Sequence, residues 1–287
     1  MPRYSCPLAM TDGAAKTLLS ADQNIPDVKD AIHRLTSRDP DIFWTSGQWM
    51  TEKKGGSDVS GGTESVATPI LDDPGYYSLV GYKWFSSATD SDMALTLGRM
   101  PNTDSLSLFL LQTRDPLTKE LNNLELIKLK DKLGTRQLPT AELILNGTRA
   151  RIIGDEGRGI ATISNMLTIT RLHNIISSVA VQHKMTSLAK DYSQRRWAFS
   201  KPISQHPLHL STLMKMTVDL RGCTVLLLDL ARQQGLEDNE IIGDEDKYLL
   251  RLMMPGTCSK STQFTILTNS WCISCKSLIH IFFLNSC

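Results

Sequence analysis

The sequence carries almost no excess of charge of either sign. Its 31 lysines and arginines stand against 30 aspartates and glutamates, which leaves a formal net charge of +1. A protein that holds nucleic acid mainly through the phosphates usually shows a basic surplus. The balanced charge therefore disfavours nucleic-acid binding as the main function. A local basic patch is still compatible with a net charge of +1.

The sequence also lacks a long apolar run. No stretch reaches the roughly 20 apolar residues that span a bilayer, and the nearest candidate, residues 277–284, is far too short. The first ten residues contain Pro2 and Pro7 and no signal-like apolar segment. We therefore expect a cytoplasmic protein without a membrane segment, with a mitochondrial location as the alternative. Asn146-Gly147-Thr148 fits a glycosylation acceptor, but without a secretory route we interpret it as a turn.

Cysteine is scarce outside the end of the chain. Four of the six cysteines lie in residues 258–287, where Cys272-x-x-Cys275 and a nearby His280 have zinc-like spacing. No second pair of ligands accompanies them, so we predict no metal site. The acidic cluster within residues 238–246 is interpreted as solvated carboxylates.

Local patterns divide the chain into a helical start, a strand-rich middle and a helical end. Helices are predicted at residues 14–19 and 28–35. After them, short apolar runs separated by turn residues favour a compact antiparallel sheet or barrel. Its strands are predicted at residues 63–70, 76–80, 93–97, 105–111, 124–129 and 141–145.

The apolar period becomes helical after Gly159. The pattern runs to about Arg196 without an internal proline or glycine, which predicts a long bundle helix. Pro207 opens a second helix that reaches about Ala231, and a third helix is predicted from Leu249. The fold class is therefore α+β, with helices on both sides of the strand region in sequence.

Two segments combine residue types that suit a ligand. The first is MTEKKGGSDV at residues 50–59, where two adjacent glycines allow a backbone to approach a ligand and Thr51 and Ser57 add hydroxyls. A solvated polar loop explains the same residues equally well. The second is GYKWFSS at residues 81–87, whose aromatic residues either fill a core or form a wall against a flat ring.

Several motifs in order make the pattern specific. They are CPLAMTDGAA from Cys6, MTEKKGGSDV, GYKWFSS, KDKLGTRQLPTAEL from Lys130, GDEGRG from Gly154, Thr170-Arg171 and RWAF from Arg196. Together they resemble the acyl-CoA dehydrogenase family, and most closely its AidB-like branch, over roughly residues 4–255. Ser200 stands where that family has a glycine, and His206 where it has a glutamine.

The resemblance implies an architecture and a cofactor. It implies a partial N-terminal helical domain at residues 1–40, a middle β-domain at 41–153 and a truncated C-terminal helical bundle at 154–255, followed by an aberrant and disordered tail at 256–287. In that family, FAD lies between the β-domain and the C-terminal helices. The expected partner is an acyl-CoA or a related thioester, and full-length relatives form homo-oligomers.

The resemblance also implies roles for individual residues. The FAD-binding set is Gln48, Trp49, Met50, Thr51, Gly56, Ser57, Phe85, Ser86, Ser87, Arg196 and Phe199, the last two of which would reach the FAD of a neighbouring subunit. Ser57 and Arg171 are the expected substrate contacts.

The catalytic carboxylate is not identified. Thr170 occupies one of the two positions at which the family places its glutamate base, and the resemblance stops before the other. We therefore expect impaired α,β-dehydrogenation, with Glu52 or Asp58 as the first candidates for an unrecognised base. The alternatives are an AidB-like nucleic-acid protection factor and a non-catalytic fragment.

Overall fold

The computed structural model describes residues 5–56, 58–101, 103–132, 135–241 and Gly243. These residues form two compact units, one up to Thr170 and one from Arg171 onward. The predicted α+β architecture, with helices before and after a β-domain, is confirmed. Among the described residues, no helix is long and apolar enough to cross a membrane. The helix predicted from Leu249 and the tail at 256–287 lie outside the described residues.

Two helices precede the sheet. Helix α1 (Ser5–Leu19) begins nine residues earlier than predicted, and α2 (Pro26–Leu35) follows after a short turn. Pro26 suits the first turn of α2, where a backbone N–H has no helical partner. Gly13 allows α1 to pass close to the chain near Met166, because a Cβ at Gly13 would lie 2.8 Å from the Met166 Cγ. The two helices share an apolar core with the sheet.

Seven strands form the β-domain. They are β1 (Ser46–Thr51), β2 (Val66–Pro69), β3 (Tyr76–Ser87), β4 (Met93–Arg99), β5 (Leu106–Gln112), β6 (Leu124–Leu129) and β7 (Thr140–Ile153). The pairings β1–β3, β3–β7, β7–β5, β5–β4 and β4–β1 close into a ring, so the predicted barrel is present. The barrel interior is filled by side chains such as Leu79, Phe109 and Leu145.

One part of the antiparallel prediction is wrong. Strand β1 pairs in parallel with β4, from Ser46 opposite Met93 to Trp49 opposite Thr96. The reason is geometric: β1 lies between β3 and β4, which run in opposite directions, so it is antiparallel to one and parallel to the other. Strand β2 occupies the same gap farther along, where Val66 pairs with Val80 of β3 and with Arg99 of β4.

Two local predictions also need correction. The strand predicted at residues 63–70 is shorter, because the short helix α3 (Val59–Gly62) precedes it. Asn146-Gly147-Thr148 is not a turn between strands but a bulge within β7, which continues to Ile153. Gly147 has a φ of +82°, a conformation that glycine adopts without a Cβ clash, so the strand bulges and goes on.

Long helices dominate the later part of the chain. Helix α4 (Gly159–Arg195) ends within one residue of the prediction, and α5 (Pro207–Asp238) extends beyond it. Between them lie the short strands β8 (Trp197–Ala198) and β9 (Lys201–Pro202) and a 3-10 turn, Ile203–Gln205. In the unit from Arg171 onward, the core consists of Ile175, Val179, Leu220 and Leu230.

Candidate active site

The register of β1 against β3 brings together four of the predicted FAD-binding residues. Gln48 lies opposite Ser87, and Thr51 lies opposite Phe85. Gln48, Thr51 and Ser87 are half-buried, while Phe85 is 41% exposed at the end of its strand. The barrel therefore presents an accessible aromatic face beside hydroxyl and amide groups, an arrangement that can hold a flat, hydrogen-bonding ring system.

Two other predicted residues of β1 point into the protein. Trp49 is 1% exposed, and its Nε1 donates a hydrogen bond to the Ser87 carbonyl at 2.9 Å. Met50 is buried in the core that the barrel shares with α1 and α2. Trp49 holds β1 against β3, and Met50 packs in the core shared with α1 and α2, so their side chains are not available to a ligand.

A pair of hydroxyls lies next to the aromatic face. The Oγ of Ser87 lies 2.8 Å from the Oγ1 of Thr140, on the neighbouring strand β7. One hydroxyl donates to the other, so the pair retains one O–H for a further acceptor. The adjacent Ser86 hydroxyl is buried and has no hydrogen-bond partner among the described residues.

Glu52 follows Thr51 and lies in a buried polar cluster. Its carboxylate, 2% exposed, accepts hydrogen bonds from Lys83 Nζ at 2.6 Å, Ser65 Oγ at 2.6 Å, Glu64 N at 2.6 Å and Ser65 N at 3.1 Å. Lys83 is fully buried and also donates to the Leu97 carbonyl at 3.0 Å. Burial, the strongest single influence, raises the pKa of Glu52. The charge of Lys83 and the hydrogen bonds from Lys83, the Ser65 hydroxyl and the Glu64 N–H nevertheless hold that pKa below its ordinary value.

This geometry contradicts Glu52 as a first candidate for a base. Every Glu52 oxygen is already bonded to donors, and the group is shielded from solvent, so it cannot receive a substrate proton without losing the cluster. Asp58 caps α3 by accepting from the Gly61 N–H at 2.9 Å. Glu52 therefore holds the chain in place, whereas the exposed Asp58 stays a predicted candidate for the base.

The loop between β1 and β2 is tightly folded. A Cβ at Gly62 would lie 2.3 Å from the Gly55 Cα, so the two glycines permit this contact and larger residues would not. Lys54 Nζ and Glu64 Oε1 form an exposed ion pair at 2.7 Å across the base of the loop. Gly56 is exposed, and apart from its chain neighbours no described residue has an atom within 4 Å of the place a Cβ would take. Ser57 lies outside the described residues.

Basic side chains surround Trp84, next to Phe85. The Nζ of Lys130 lies 3.1 Å from the Trp84 ring centroid, and that of Lys53 lies 5.5 Å from it. Lys130 also pairs with Glu142 at 2.6 Å, and the Tyr82 hydroxyl donates to the same carboxylate. The hydrogen bonds from Lys130 and Tyr82 lower the pKa of Glu142, and the bond to Glu142 raises the pKa of Tyr82 to about 12.

The remaining predicted residues belong to the unit from Arg171 onward. Arg171 is exposed on α4, and Arg196 follows the end of that helix, also exposed. Phe199 is 91% exposed at the turn between β8 and β9, where it and Ser200 have φ values of +50° and +62°. His206 Nε2 lies 3.1 Å from the Ala198 carbonyl and braces this turn. In the described part of the chain, no group of three or more histidines, cysteines or acids could hold a metal ion.

Two family models match the chain in sequence. The model "Acyl-CoA dehydrogenase, middle domain" matches residues 47–148, and "Acyl-CoA dehydrogenase, C-terminal domain" matches residues 157–247. The first match covers the barrel strands β1 to β6 and part of β7, and the second covers most of the later helices. The chain belongs to the acyl-CoA dehydrogenase family.

Individual members of the acyl-CoA dehydrogenase family resemble it closely. Acyl-CoA dehydrogenase family member 11 of Caenorhabditis elegans is 51% identical over 88% of this chain and 42% of its own length. The putative acyl-CoA dehydrogenase AidB of Escherichia coli is 35% identical over 79% of this chain and 42% of its own. A crystal structure of the worm protein ACDH-11 in complex with C11-CoA superimposes with a TM-score of 0.88 and 49% identity, covering 93% of this chain and 46% of that one. The chain thus spans less than half the length of these relatives.

Sequence reasoning about this acyl-CoA dehydrogenase domain missed Lys83 and Thr140 as site neighbours. Lys83 was inside a motif singled out for its aromatics, but nothing local indicates that it meets Glu52, 31 residues earlier. Thr140 lies within the motif that begins at Lys130, but its pairing with Ser87 depends on β7 lying beside β3, which the sequence does not show.

Proposed function

We propose that this chain provides the FAD- and acyl-CoA-binding part of an acyl-CoA dehydrogenase-type flavoprotein of the AidB-like branch. The observation that carries the proposal is the register that sets Gln48 and Thr51 beside Ser87 and Phe85. The branch is supported by the 35% identity to the bacterial AidB protein.

The residues at this position fit an isoalloxazine ring. Phe85 offers an exposed aromatic face, Thr51 a hydroxyl, and the Ser87–Thr140 pair one spare O–H for a ring oxygen or nitrogen. The open space at Gly56 leaves room for a phosphate-bearing chain close to the backbone. When bound, FAD supplies the two-electron acceptor for oxidation of an acyl thioester to its α,β-unsaturated form. The protein residues named here hold and orient it.

An acyl-CoA is the proposed substrate class. Support comes from the worm relative, whose crystal structure is described as a complex with C11-CoA. We assign Arg171, exposed and cationic, to an anionic group of the CoA portion, and Ser57 to a second substrate contact. Arg196 and Phe199, at the exposed turn beyond α4, are assigned to the FAD of a neighbouring copy in a homo-oligomer.

Dehydrogenation by this chain alone is expected to be weak. Thr170 stands at one of the two positions at which the family places its glutamate base, and its hydroxyl donates to the Leu167 carbonyl of its own helix at 3.0 Å. Glu52 is buried and bonded to four donors. A positioned base contributes about 10² to 10⁴ in rate, so turnover of isovaleryl-CoA with an artificial electron acceptor should fall by at least that factor below a full-length relative.

Flavin titration tests the cofactor site. The variant Thr51→Ala/Ser87→Ala removes two donors, each contributing about 1 kcal/mol, so the Kd for FAD should rise about tenfold or more. Quenching of flavin fluorescence measures the Kd on the purified chain. The matched control is Thr103→Ala, which breaks the exposed Thr103–Ser105 hydroxyl pair at 2.6 Å and should leave the Kd unchanged. Equal affinity in the double variant and the wild type would contradict the assignment.

A further inference from the structure

The chain between β1 and β2 leaves and re-enters the barrel at one place. The described residues 53–56 and 58–63 belong to the loop that starts after Glu52 and ends before Glu64 (the 53–63 loop). The Glu52 carboxylate closes it by accepting from the backbone N–H groups of Glu64 and Ser65, at 2.6 and 3.1 Å. One side chain at the start of the loop therefore holds the backbone at its end.

The same carboxylate ties the loop to the barrel wall. Lys83 donates to it from β3 and to the Leu97 carbonyl on β4. Ser65 packs directly against β3 at Gly81, where a Cβ would lie 2.1 Å from the Ser65 Oγ and only glycine fits. The loop base, β3 and β4 thus meet at a single buried ion pair.

Both members of this ion pair adjoin, in sequence, a segment of the proposed FAD site. Glu52 directly follows Thr51 and leads into the loop that carries Gly56, while Lys83 lies two residues before Phe85 on β3. We propose that Glu52 is a positioning residue, which holds the 53–63 loop and the end of β3 at the separation that FAD requires. The inference rests on the proposed function of this site.

Preorganisation is the physical reason. A site that is competent only part of the time binds its ligand with an affinity reduced by that fraction. Four donors converge on two carboxylate oxygens, so a glutamine cannot replace Glu52: its amide has one acceptor oxygen, and its NH2 would face another donor. Glu52→Gln should therefore release the loop even where the barrel remains folded.

Titration of the full chain with FAD tests the inference. We expect Glu52→Gln to raise the Kd at least tenfold at a temperature where the variant is folded. The control is Leu79→Ala, which opens a cavity in the same barrel at a fully buried residue outside the site. Leu79→Ala should lower the melting temperature but leave the Kd within about threefold of wild type. An equal rise in Kd for both variants would assign the effect to general stability and overturn the inference.

Limited trypsin digestion provides a readout that does not depend on FAD. Cleavage after Lys53 and Lys54 should accelerate at least tenfold in Glu52→Gln, while cleavage after the exposed Lys119 should match wild type. Unchanged cleavage at Lys53 and Lys54 would refute the positioning role. A different outcome is that the wild type binds no FAD, while Glu52→Gln is cleaved faster at Lys53 and Lys54. The proposed function then fails, but the role of Glu52 in closing the loop stands.

A milder variant covers the case in which Glu52→Gln does not fold. Ser65→Ala removes one of the four donors and leaves the Glu52–Lys83 ion pair in place. The Kd for FAD should then rise about threefold to tenfold, with faster cleavage at the same two lysines. If Ser65→Ala has the same Kd for FAD and the same cleavage rate as the wild type, the inference is overturned.

Discussion

Replacing Lys83 with methionine should strongly destabilise the barrel. Methionine fills a similar volume but removes the ammonium that pairs with Glu52 at 2.6 Å. Glu52, 2% exposed, is then left as a buried carboxylate without a counter-ion. Breaking a buried pair in this way typically costs about 3–5 kcal/mol, more than the pair contributes net, because the remaining charge is desolvated.

The size of the effect follows from the size of the unit. A domain of this length loses about 2–4 °C in melting temperature per kcal/mol, so Lys83→Met should melt about 6–20 °C below wild type. The double variant Lys83→Met/Glu52→Gln removes both charges and keeps one amide oxygen for the Glu64 and Ser65 N–H groups. It should be more stable than the single Lys83→Met variant.

Urea unfolding at neutral pH, followed by circular dichroism, measures the four members of this cycle. Lys130→Met provides the control, since Lys130 makes an ion pair of the same length with Glu142 in the same barrel but remains 15% exposed. That variant should lose less stability than Lys83→Met. If the double variant loses the sum of the two single losses, Lys83 and Glu52 are not coupled and the reasoning is refuted.

Two further predictions concern pH and backbone strain. Because the folded-state pKa of Glu52 lies below its unfolded value of about 4.3, its stabilising contribution is complete above that pH and is lost as the pH falls through the folded value. Acid titration of the unfolding free energy should show this loss in wild type and not in Glu52→Gln, and parallel curves would contradict it. Ser200→Gly should stabilise the unit from Arg171 onward by about 1 kcal/mol, because Ser200 has a φ of +62°. Thermal unfolding measures that gain, and a lower melting temperature would show that the turn is not strained.

Local patterns determined most of the elements. The spacing of apolar residues and the turn residues depend only on near neighbours in sequence. They correctly predicted the end of α4 at Arg195, the start of α5 at Pro207 and the strand at Leu124–Leu129. The family motifs likewise predict that the loop after β1 and the end of β3 belong to one site, and the register of β1 against β3 places Thr51 opposite Phe85. The start of α1 at Ser5 was not predicted, because the first residues of this helix, including Pro7, show no helical spacing of apolar residues.

Only the tertiary structure decided which of these elements meet. The insertion of β1 between β3 and β4, and hence its parallel pairing, depends on contacts between strands far apart in sequence. The same holds for the pairing of Ser87 with Thr140, 53 residues later, and of Glu52 with Lys83. From the sequence alone, Glu52 is a candidate base. In the structure its carboxylate is buried and bonded to four donors, so its role is to stabilise the fold. The physical reason is that side-chain pattern is a local property, whereas the partners that set the pKa and role of a carboxylate are fixed by strand pairing across the barrel.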